Sequence, residues 1–233
     1  MEIAGPLVPG TFVRRENRFR ALVEVEGRVT AAHVPNSGRL WELFVPGRTV
    51  YLRPAAAAHR KTAFDLVLVR VGDRLVSLDA RLPPLLFAEA LQQGRLAEFR
   101  GCRLAGREVA LHGHRIDLVL ACPAGHCWVE TKSVTLVVGG TALFPDAVTA
   151  RGRNHVEALR ERVAAGERAA VVFVVQRDDA ARFRPHDESD PAFGAALRRA
   201  AATGVEVYAY TCHVSDARIA IARPIPVVLE GER

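Results

Sequence analysis

The amino-acid sequence predicts a mixed α/β fold in two parts, a small β-barrel over residues 1–82 and an α/β domain over residues 83–233. Two observations support this division. Short strand-like segments separated by turn residues fill the first part, whereas helical and strand periods alternate in the second part. The 233 residues suffice for one large or two small domains, and 49% hydrophobic and 25% charged residues are ordinary for a globular protein.

Strand-like segments occupy the first part: "GTFVRR", "FRALVEVEG", "RVTAAHV", "RTVYLRP", "FDLVLVRVG" and "RLVSLDA". The alternation is clearest in "LVEVE", where Val23 and Val25 alternate with Glu24 and Glu26, and Gly27 supplies a turn. Short strands without a helical period indicate a small closed or partly open barrel. Among such barrels we favour an OB-like barrel.

A helix is predicted where the second part begins. In "RLPPLLFAEALQQGRLAEF" two prolines end the strand pattern, and a helical stripe of apolar residues follows, comprising Leu85, Leu86, Ala88, Leu91 and Leu96. We therefore place the domain boundary near residue 82.

The remaining elements are predicted in the order three strands, helix, strand, helix, strand. The three strands are "REVALHG", "HRIDLVLAC" and "CWVETKSVTLV", and a helix is expected to begin near Pro145. "RAAVVFVVQ" is a continuous apolar run, typical of a strand buried on both faces. In "DPAFGAALRRAAATG", Asp190 suits the N-cap of a helix, Pro191 its first position and Gly204 its end. With "GVEVYAYTCHV" these strands form a mixed sheet.

Composition and cysteine usage exclude several classes of protein. The opening "MEIAGPLVPGTF" lacks the pattern of a secretion signal, and no window approaches the roughly 18 apolar residues of a membrane span. We expect a cytoplasmic protein that does not cross a membrane, with its four cysteines reduced. Cys122 and Cys127, with His126 between them, resemble half of a zinc site, but buried or turn cysteines are the favoured alternative because no second ligand pair follows.

Positive charge is concentrated in the first third of the chain. The net charge is +6, and residues 1–85 hold 13 basic against 8 acidic residues, whereas residues 86–233 hold 19 against 18. A basic surface of this kind suits a polyanionic partner such as nucleic acid, although many soluble proteins reach this charge without one. A homodimer is also possible on the basis of the sequence, which does not decide the oligomeric state.

Two segments of the first part are candidate nucleic-acid contacts. "TFVRRENRFR" interleaves two phenylalanines with four arginines: Arg14, Arg15, Arg18 and Arg20. Barrels that bind single strands combine such cationic grooves with stacking rings, but we favour core positions for the phenylalanines. In "HVPNSGRLWELF", Asn36 and Arg39 either contact phosphate or belong to a turn dictated by proline and glycine.

The stretch "RIDLVLACPAGHCWVETKSV" predicts a hairpin that brings three charged residues together. If Cys122 faces Cys127 across the loop "PAGH", Asp117 lies opposite Lys132 and diagonal to Glu130. Because side chains alternate along a strand and opposed partners share a face, these three converge.

Such a cluster has two interpretations. One is a solvated cross-strand ion pair, which is common and contributes little stability. The other is a Mg²⁺ or Mn²⁺ site, since hard cations take carboxylate oxygens and a nearby lysine can orient or deprotonate the attacking water. Apolar neighbours of Asp117 and Glu130 favour the second. So does Lys132, one of two lysines beside thirty arginines, because lysine is compact and its pKa can shift.

The spacing of "RID" and "ETK" resembles the Asp…Glu-x-Lys core of the PD-(D/E)xK nuclease superfamily, with Ile116 where that pattern has proline. More specific segments follow in one order: "HVPNSGRL", "RIDLVL", "VETKSVTL", "LFPDAVTARGRNHVEAL", "VVFVVQR" and "GVEVYAY". Together they resemble the sugar fermentation stimulation protein family. The resemblance implies an N-terminal OB-like domain, a C-terminal nuclease-like domain, DNA binding and a regulatory role in maltose metabolism.

The same resemblance implies roles for individual residues. Asp117 and Glu130 become metal ligands and Lys132 the catalytic lysine, while Glu89 is either a further ligand or an exposed helix residue. The remaining residues on family motifs are Lys61, Asp146, Thr149, Arg151, His155 and Gln176.

Arg151 and His155 also stand out without the family. They lie one helical turn apart at the edge of a predicted apolar stripe that includes Val148 and Leu159. This pair either contacts a phosphodiester or forms an ordinary polar border.

Three functions follow as hypotheses. The favoured one is a DNA-binding protein with a metal-dependent phosphodiester-hydrolysing site. The alternatives are a non-catalytic DNA-binding regulator and a metal-dependent enzyme acting on small phosphates.

Overall fold

The computed structural model describes residues 1–55, 60–111 and 113–230, and it has the predicted mixed α/β architecture. The N-terminal strands are β1 (Val8–Asn17), β2 (Arg20–Val25), β3 (Arg28–His33), β4 (Thr49–Pro54), β5 (Phe64–Val71) and β6 (Arg74–Ser77). They form one sheet in the order β3-β2-β1-β4-β5-β6.

This first sheet closes into a barrel. β3 pairs in parallel with β5 through Ala32↔Phe64 and His33↔Asp65. This pairing closes strands β1 to β5 into a barrel, and β6 extends the sheet beyond β5. Inward-facing apolar side chains such as Val23 and Leu66 fill the barrel and are fully buried. The OB-like barrel predicted from the alternating strands is confirmed.

The second part contains three helices in the described residues: α1 (Pro83–Gln92), α2 (Ala150–Ala164) and α3 (Pro191–Ala202). A short 3-10 helix spans Ala97–Phe99. The strands are β7 (Arg103–Leu111), β8 (His114–Cys122), β9 (Gly125–Val134), β10 (Val137–Val138), β11 (Thr141–Phe144), β12 (Arg168–Val175), β13 (Arg182–Pro185), β14 (Glu206–Val214) and β15 (Ile219–Pro224).

A six-stranded mixed sheet in the order β15-β14-β12-β9-β8-β7 organises this part, and a small sheet β10-β11-β13 lies beside it. β7, β8 and β9 are antiparallel, whereas β12 runs parallel to both β9 and β14. Helices cover both faces: α2 and α3 contribute Leu159 and Leu197 to one core, and α1 contributes Phe87 to the other. β12 is buried almost throughout, as its apolar run predicts.

Helix α2 begins later than expected. The helix starts at Ala150 rather than near Pro145, because the Thr149 side chain accepts a 3.0 Å hydrogen bond from the Gly152 amide and caps it there. Val148 precedes the cap and is 68% exposed, so its placement in the buried stripe is wrong. Helix α3 begins at Pro191 after the Asp190 cap, as predicted.

The hairpin register differs from the expected one by two residues. Leu120 pairs with Cys127 and Cys122 pairs with Gly125, so the connection is shorter than "PAGH". Because side chains alternate with a period of two, an even shift keeps Asp117, Glu130 and Lys132 on one face.

The expectation that all cysteines are reduced is wrong in this structure. Cys102 and Cys122 form a disulfide, since the start of β7 lies beside the end of β8. A disulfide sulfur is not free to bind zinc, and burial raises the pKa of the Cys127 thiol to about 12. The zinc half-site is therefore excluded.

Gln176, directly after β12, joins the two sheets and is fully buried. Its side-chain carbonyl accepts a 2.8 Å hydrogen bond from the Ser77 hydroxyl, and its amide nitrogen donates to the Asp79 carbonyl and the Ser133 hydroxyl. The barrel is thus held against the carboxyl ends of β9 and β12. None of the helices within the described ranges has the length and apolar run needed to traverse a bilayer.

Candidate functional site

A cleft of about 690 Å³ lies between the barrel, strands β8 and β9, and the start of α2. It contains the three charged residues of the predicted hairpin, Asp117, Glu130 and Lys132. Six further residues singled out in the sequence also line it: Arg18, Asn36, Asp146, Thr149, Arg151 and His155. Residues 36–38 line it from the barrel side and residues 144–152 from the α2 side. We call it the acidic cleft.

Asp117 is held in place by the neighbouring strand. Its Oδ2 accepts a 2.9 Å hydrogen bond from the Thr131 amide and a 2.5 Å hydrogen bond from the Thr131 hydroxyl. The Asp117 amide donates in turn to Oε2 of Glu130 at 3.3 Å. Burial and then the charge of Glu130 raise the pKa of the Asp117 carboxyl above its usual value, despite the two hydrogen bonds.

Glu130 has two basic partners at one oxygen. Nζ of Lys132 lies 2.6 Å from its Oε1, and Nδ1 of His155 contacts the same atom. The three side chains are buried, with 3%, 9% and 3% exposure for Glu130, Lys132 and His155. Burial alone would raise the pKa of Glu130, but Lys132 and then His155 outweigh it, so the pKa is lowered and the carboxylate stays ionised.

The two ring nitrogens of His155 have different neighbours. Nε of Arg151 donates to Nε2 of His155 at 3.4 Å, while Nδ1 contacts Oε1 of Glu130 and lies 3.4 Å from Nζ of Lys132. His155 was predicted at a helix edge with Arg151, and the structure instead buries its ring while Arg151 remains exposed. His155 is therefore a partner of Glu130, and only Arg151 is available to a ligand.

The donor set suits a hard divalent cation. Mg²⁺ is typically held by one or two carboxylates together with water and substrate oxygens, and here two carboxylates meet on adjacent strands. Among the described residues no group of three or more His, Cys, Asp or Glu side chains is arranged to hold a metal ion by itself. A cation at Asp117 and Glu130 would thus keep water or substrate positions in its coordination shell.

The structure does not bring Glu89 to this pair. Its carboxylate forms a 2.6 Å salt bridge with the Met1 ammonium group and lines a separate cleft with Arg107. The candidate ligands of the divalent cation are therefore Asp117 and Glu130.

The acidic cleft also contains residues that were not singled out in the sequence, among them Thr131, Glu108 and Arg81. Thr131 orients Asp117, and Glu108 lines the cleft from β7, where its φ of 49° marks an irregular strand position. Thr131 stands inside "ETK", so the motif itself pointed to it. "GREVAL" gives no signal for Glu108, because its position beside the cleft follows only from the pairing of β7 with β8.

The Arg15 guanidinium is occupied by the barrel itself. Its five N–H groups donate to five backbone carbonyl oxygens, belonging to Asn17, Arg18, Asn36, Gly38 and Arg39. No N–H group is left for a phosphate in this arrangement. Arg15 thus shapes the loop over residues 36–39, which borders the acidic cleft.

The other cationic residues predicted to contact nucleic acid differ in whether their side chains are free to bind a phosphate. Arg14 and Arg20 each pair with Glu16, at 3.4 and 2.6 Å. Arg18 and Arg39 are exposed and line clefts on this side of the barrel. Lys61 is exposed in the turn before β5 and does not line the acidic cleft.

Asn36 and Asp146 build the wall between barrel and α/β part. The Asn36 side chain donates to the Leu78 carbonyl and accepts from the Gly38 amide, so it is buried in the loop rather than turned outward. Asp146 accepts a 3.2 Å hydrogen bond from the Leu40 amide, and its carboxylate occupies the space that a Cβ atom at Gly38 would need. Asp146 therefore connects the two parts, whereas the hydrogen bonds of Asn36 stay within the barrel part.

Of the two phenylalanines expected in the core, Phe12 is buried at 2% exposure, but Phe19 is 49% exposed. Phe19 stacks loosely against His33, with ring centroids 6.3 Å apart. The core prediction is thus confirmed for Phe12 and wrong for Phe19, which lies in the turn between β1 and β2.

Fold and site together define a two-domain protein in which an OB-type barrel borders an α/β domain carrying an Asp…Glu-x-Lys cluster. Residues 13–78 match the family described as the SfsA N-terminal OB domain, and residues 81–218 match the sugar fermentation stimulation protein RE domain. The chain belongs to the sugar fermentation stimulation protein (SfsA) family.

Relatives match along almost the whole chain. The sugar fermentation stimulation protein homolog of Moorella thermoacetica is 47% identical over 232 residues, covering 98% of this chain and 100% of the relative. The homolog of Caldanaerobacter subterraneus subsp. tengcongensis is 44% identical over 229 residues with the same two coverages. The solved structure of Pyrococcus furiosus SfsA in complex with Ca²⁺ is 33% identical, covers 98% of both chains and superposes with a TM-score of 0.90.

Proposed function

We propose that this protein binds DNA and hydrolyses phosphodiester bonds with a divalent cation, Mg²⁺ or Mn²⁺, held by Asp117 and Glu130. The observation that carries the proposal is the meeting of these two carboxylates on adjacent strands, with Lys132 beside them, in an open cleft. The Ca²⁺ complex of the Pyrococcus furiosus relative supports a divalent cation in a protein of this family.

The electrostatics of the pair support cation binding. Lys132 and His155 both contact the Glu130 carboxylate, whereas the Asp117 carboxylate accepts its hydrogen bonds from Thr131. Its raised pKa reflects burial next to another negative charge. A divalent cation would offset that charge and favour the ionised form of Asp117.

Each side chain of the cleft has a role in this proposal. The bound cation would supply positive charge to activate water and to stabilise charge on the scissile phosphate. Lys132 places an ammonium group beside Glu130, where it can orient the attacking water or neutralise developing charge. Exposed Arg18 and Arg151 line the cleft and can bind flanking phosphates, as can the N-terminus of α2. Arg81 also lines the cleft, but its guanidinium is paired with the Asp79 carboxylate.

The test measures cation binding and cleavage separately. Calorimetry with Mn²⁺ is expected to show binding to the native protein and loss of binding in Asp117→Asn and Glu130→Gln. Incubation with Mg²⁺ or Mn²⁺ and single-stranded DNA, double-stranded DNA or RNA is expected to give cleavage that both variants lower at least about 100-fold. Asp73→Asn, an exposed carboxylate in the β5–β6 turn, is the matched control. Native protein that neither binds Mn²⁺ nor cuts any substrate would refute the proposal.

A non-catalytic DNA-binding regulator of sugar metabolism genes, including maltose genes, is the second candidate. The observation in its favour is that Lys132 forms an ion pair with Glu130 while His155 contacts the same carboxylate oxygen, so the buried cluster can persist without a cation. This candidate predicts DNA binding that is unchanged in Asp117→Asn and no cleavage by any form of the protein. The boundary at residue 82, the cytoplasmic location and a homodimer remain predictions of the sequence.

A further inference from the structure

Trp41 is the most exposed large apolar side chain among the described residues, with 72% of its surface accessible. It follows the loop that Arg15 shapes and lies outside the barrel core. The guanidinium carbon of Arg39 lies 5.0 Å from the centroid of the indole ring, a cation–π contact that holds one side of the ring. A large ring left in solvent in this way is poised to stack on another flat group.

Trp41 lines a second cleft, of about 600 Å³, which we call the Trp41 cleft. The Trp41 cleft and the acidic cleft share Arg18, Gly38 and Val148 in their linings. Val148 is 68% exposed and so adds a second apolar surface beside the ring. The two clefts therefore adjoin at these residues, and we call them together the groove between the indole ring and the carboxylates of Asp117 and Glu130.

Arginine side chains line both clefts of this groove. Arg14, Arg18 and Arg39 are exposed in the Trp41 cleft, and Arg81 and Arg151 are exposed in the acidic cleft. Alternating cationic and apolar surfaces match a polynucleotide strand, whose phosphates and base faces alternate in the same way. A small phosphate would not need the apolar part of the groove.

We propose that Trp41 is a stacking platform for an unpaired nucleobase, so that the preferred substrate is single-stranded or locally unpaired nucleic acid. Within a duplex both faces of a base are already stacked, so a base reaches the indole ring only after it leaves the stack. This inference rests on the proposed function, because it assigns the same strand to the acidic cleft. It adds the substrate class, which the metal site alone does not specify.

The test measures binding without catalysis. The chain has two tryptophans, so a Trp128→Phe background leaves Trp41 as the only tryptophan, which can be excited selectively over the three tyrosines. In that background, with Asp117→Asn added to prevent cleavage, a 12-nucleotide oligothymidylate is expected to quench Trp41 fluorescence and to bind more tightly than a duplex of equal length. Because the Trp41 variants lack this signal, their affinities are measured by the anisotropy of a dye-labelled oligothymidylate, with the parent measured in the same way. Trp41→Ala is expected to weaken oligothymidylate binding about 10-fold, while Trp41→Phe stays near the parent.

Further arms of the test distinguish stacking from other roles. The exposed ring of Phe19 does not line either cleft, so Phe19→Ala is the matched control and should bind like the parent. The slope of affinity against salt concentration should not change in Trp41→Ala, because phosphate contacts remain. An oligonucleotide with one abasic position in the stacking register should bind the parent as weakly as Trp41→Ala binds the intact strand.

Three outcomes would overturn the inference: equal oligothymidylate affinity in Trp41→Ala and the parent, an equal loss for single strand and duplex, or a change of oligomeric state on sedimentation with no change in affinity. The last would identify Trp41 as a contact between copies of the chain. Because binding is measured without divalent cation, failure of metal-dependent cleavage leaves this result interpretable on its own.

Discussion

Nζ of Lys132 lies 2.6 Å from Oε1 of Glu130, two residues earlier on the same face of β9. His155 reaches the same oxygen from helix α2, so one carboxylate of the acidic cleft has two basic partners. The other carboxylate, Asp117, is held by the amide and hydroxyl of Thr131. This asymmetry keeps Glu130 ionised and makes the charge of Asp117 sensitive to an added cation.

Replacing Lys132 is expected to separate cation binding from cleavage. Lys132→Arg preserves the charge but puts a larger, planar group where Nζ meets Glu130 and His155, and Lys132→Met removes the charge. Both variants should lower cleavage at least about 100-fold, yet neither should weaken Mn²⁺ binding, because Asp117 and Glu130 are intact. Calorimetry and cleavage assays test this; retained cleavage in Lys132→Arg would contradict it.

His155 is expected to act through Glu130. In His155→Ala the buried carboxylate loses a hydrogen-bond donor, which should reduce the free energy of unfolding by about 1–3 kcal/mol. His155→Asn keeps an N–H group near the position of Nδ1 and should recover part of this loss. Urea unfolding measures the effect, and the exposed His213→Ala is the control. Equal stabilities of the alanine and asparagine variants would argue against a hydrogen-bonding role.

Arg15 is expected to matter for the shape of the barrel loop rather than for phosphate binding. Lysine cannot reproduce the five N–H groups that reach five carbonyl oxygens, so Arg15→Lys should destabilise the protein by about 1–3 kcal/mol. Arg14→Lys, with an exposed side chain, should leave stability within about 0.5 kcal/mol of the native value. Thermal unfolding of both variants checks this difference, and equal effects would contradict it.

Asp65 is expected to make stability depend on pH. Burial would raise the pKa of this carboxyl, but the guanidinium groups of Arg60 and Arg53 outweigh burial and lower it. A lowered folded-state pKa stabilises the fold above the unfolded value of about 3.9, and this stability is lost as the pH falls through the folded value.

The variant Asp65→Asn should therefore be less stable than the native protein at pH 7, and the difference should shrink as the pH falls below about 4. Urea unfolding between pH 7 and pH 3 measures it. Asp73→Asn, with 85% of its side chain exposed, should show no such trend. A difference that stays constant with pH would rule out this contribution of Asp65.

Prediction from the sequence succeeded where the signal was local and periodic. The apolar run of β12 identified a strand covered on both faces, and the alternation in the hairpin placed Asp117, Glu130 and Lys132 on one face. The placement of these three residues on one face is correct although the predicted hairpin register is wrong by two residues, because side chains alternate with a period of two. The start of α2 was less predictable, since the Thr149 cap competes with the apolar residues before it.

Contacts between distant residues were beyond such patterns. Glu89 carries the same charge whether it faces a cation or the Met1 ammonium group, and only the fold decides which neighbour it meets. The disulfide between Cys102 and Cys122 likewise depends on how β7 pairs with β8. Nothing in the local sequence distinguishes Arg15, whose N–H groups are occupied, from the exposed Arg18 beside it.

The sequence by itself determined the barrel strands, the three helices, strands β7, β8, β9, β12 and β14, and the convergence of Asp117, Glu130 and Lys132, because hydrophobic period and strand alternation act within a few residues. It did not indicate β10, β11, β13 or β15. Only the tertiary structure decided that His155 is buried against Glu130 and that Gln176 ties the barrel to the sheet. It also decided that Trp41 lies along the same groove as the carboxylates. These relationships join residues tens of positions apart, and they exist only once the chain has packed into its tertiary structure.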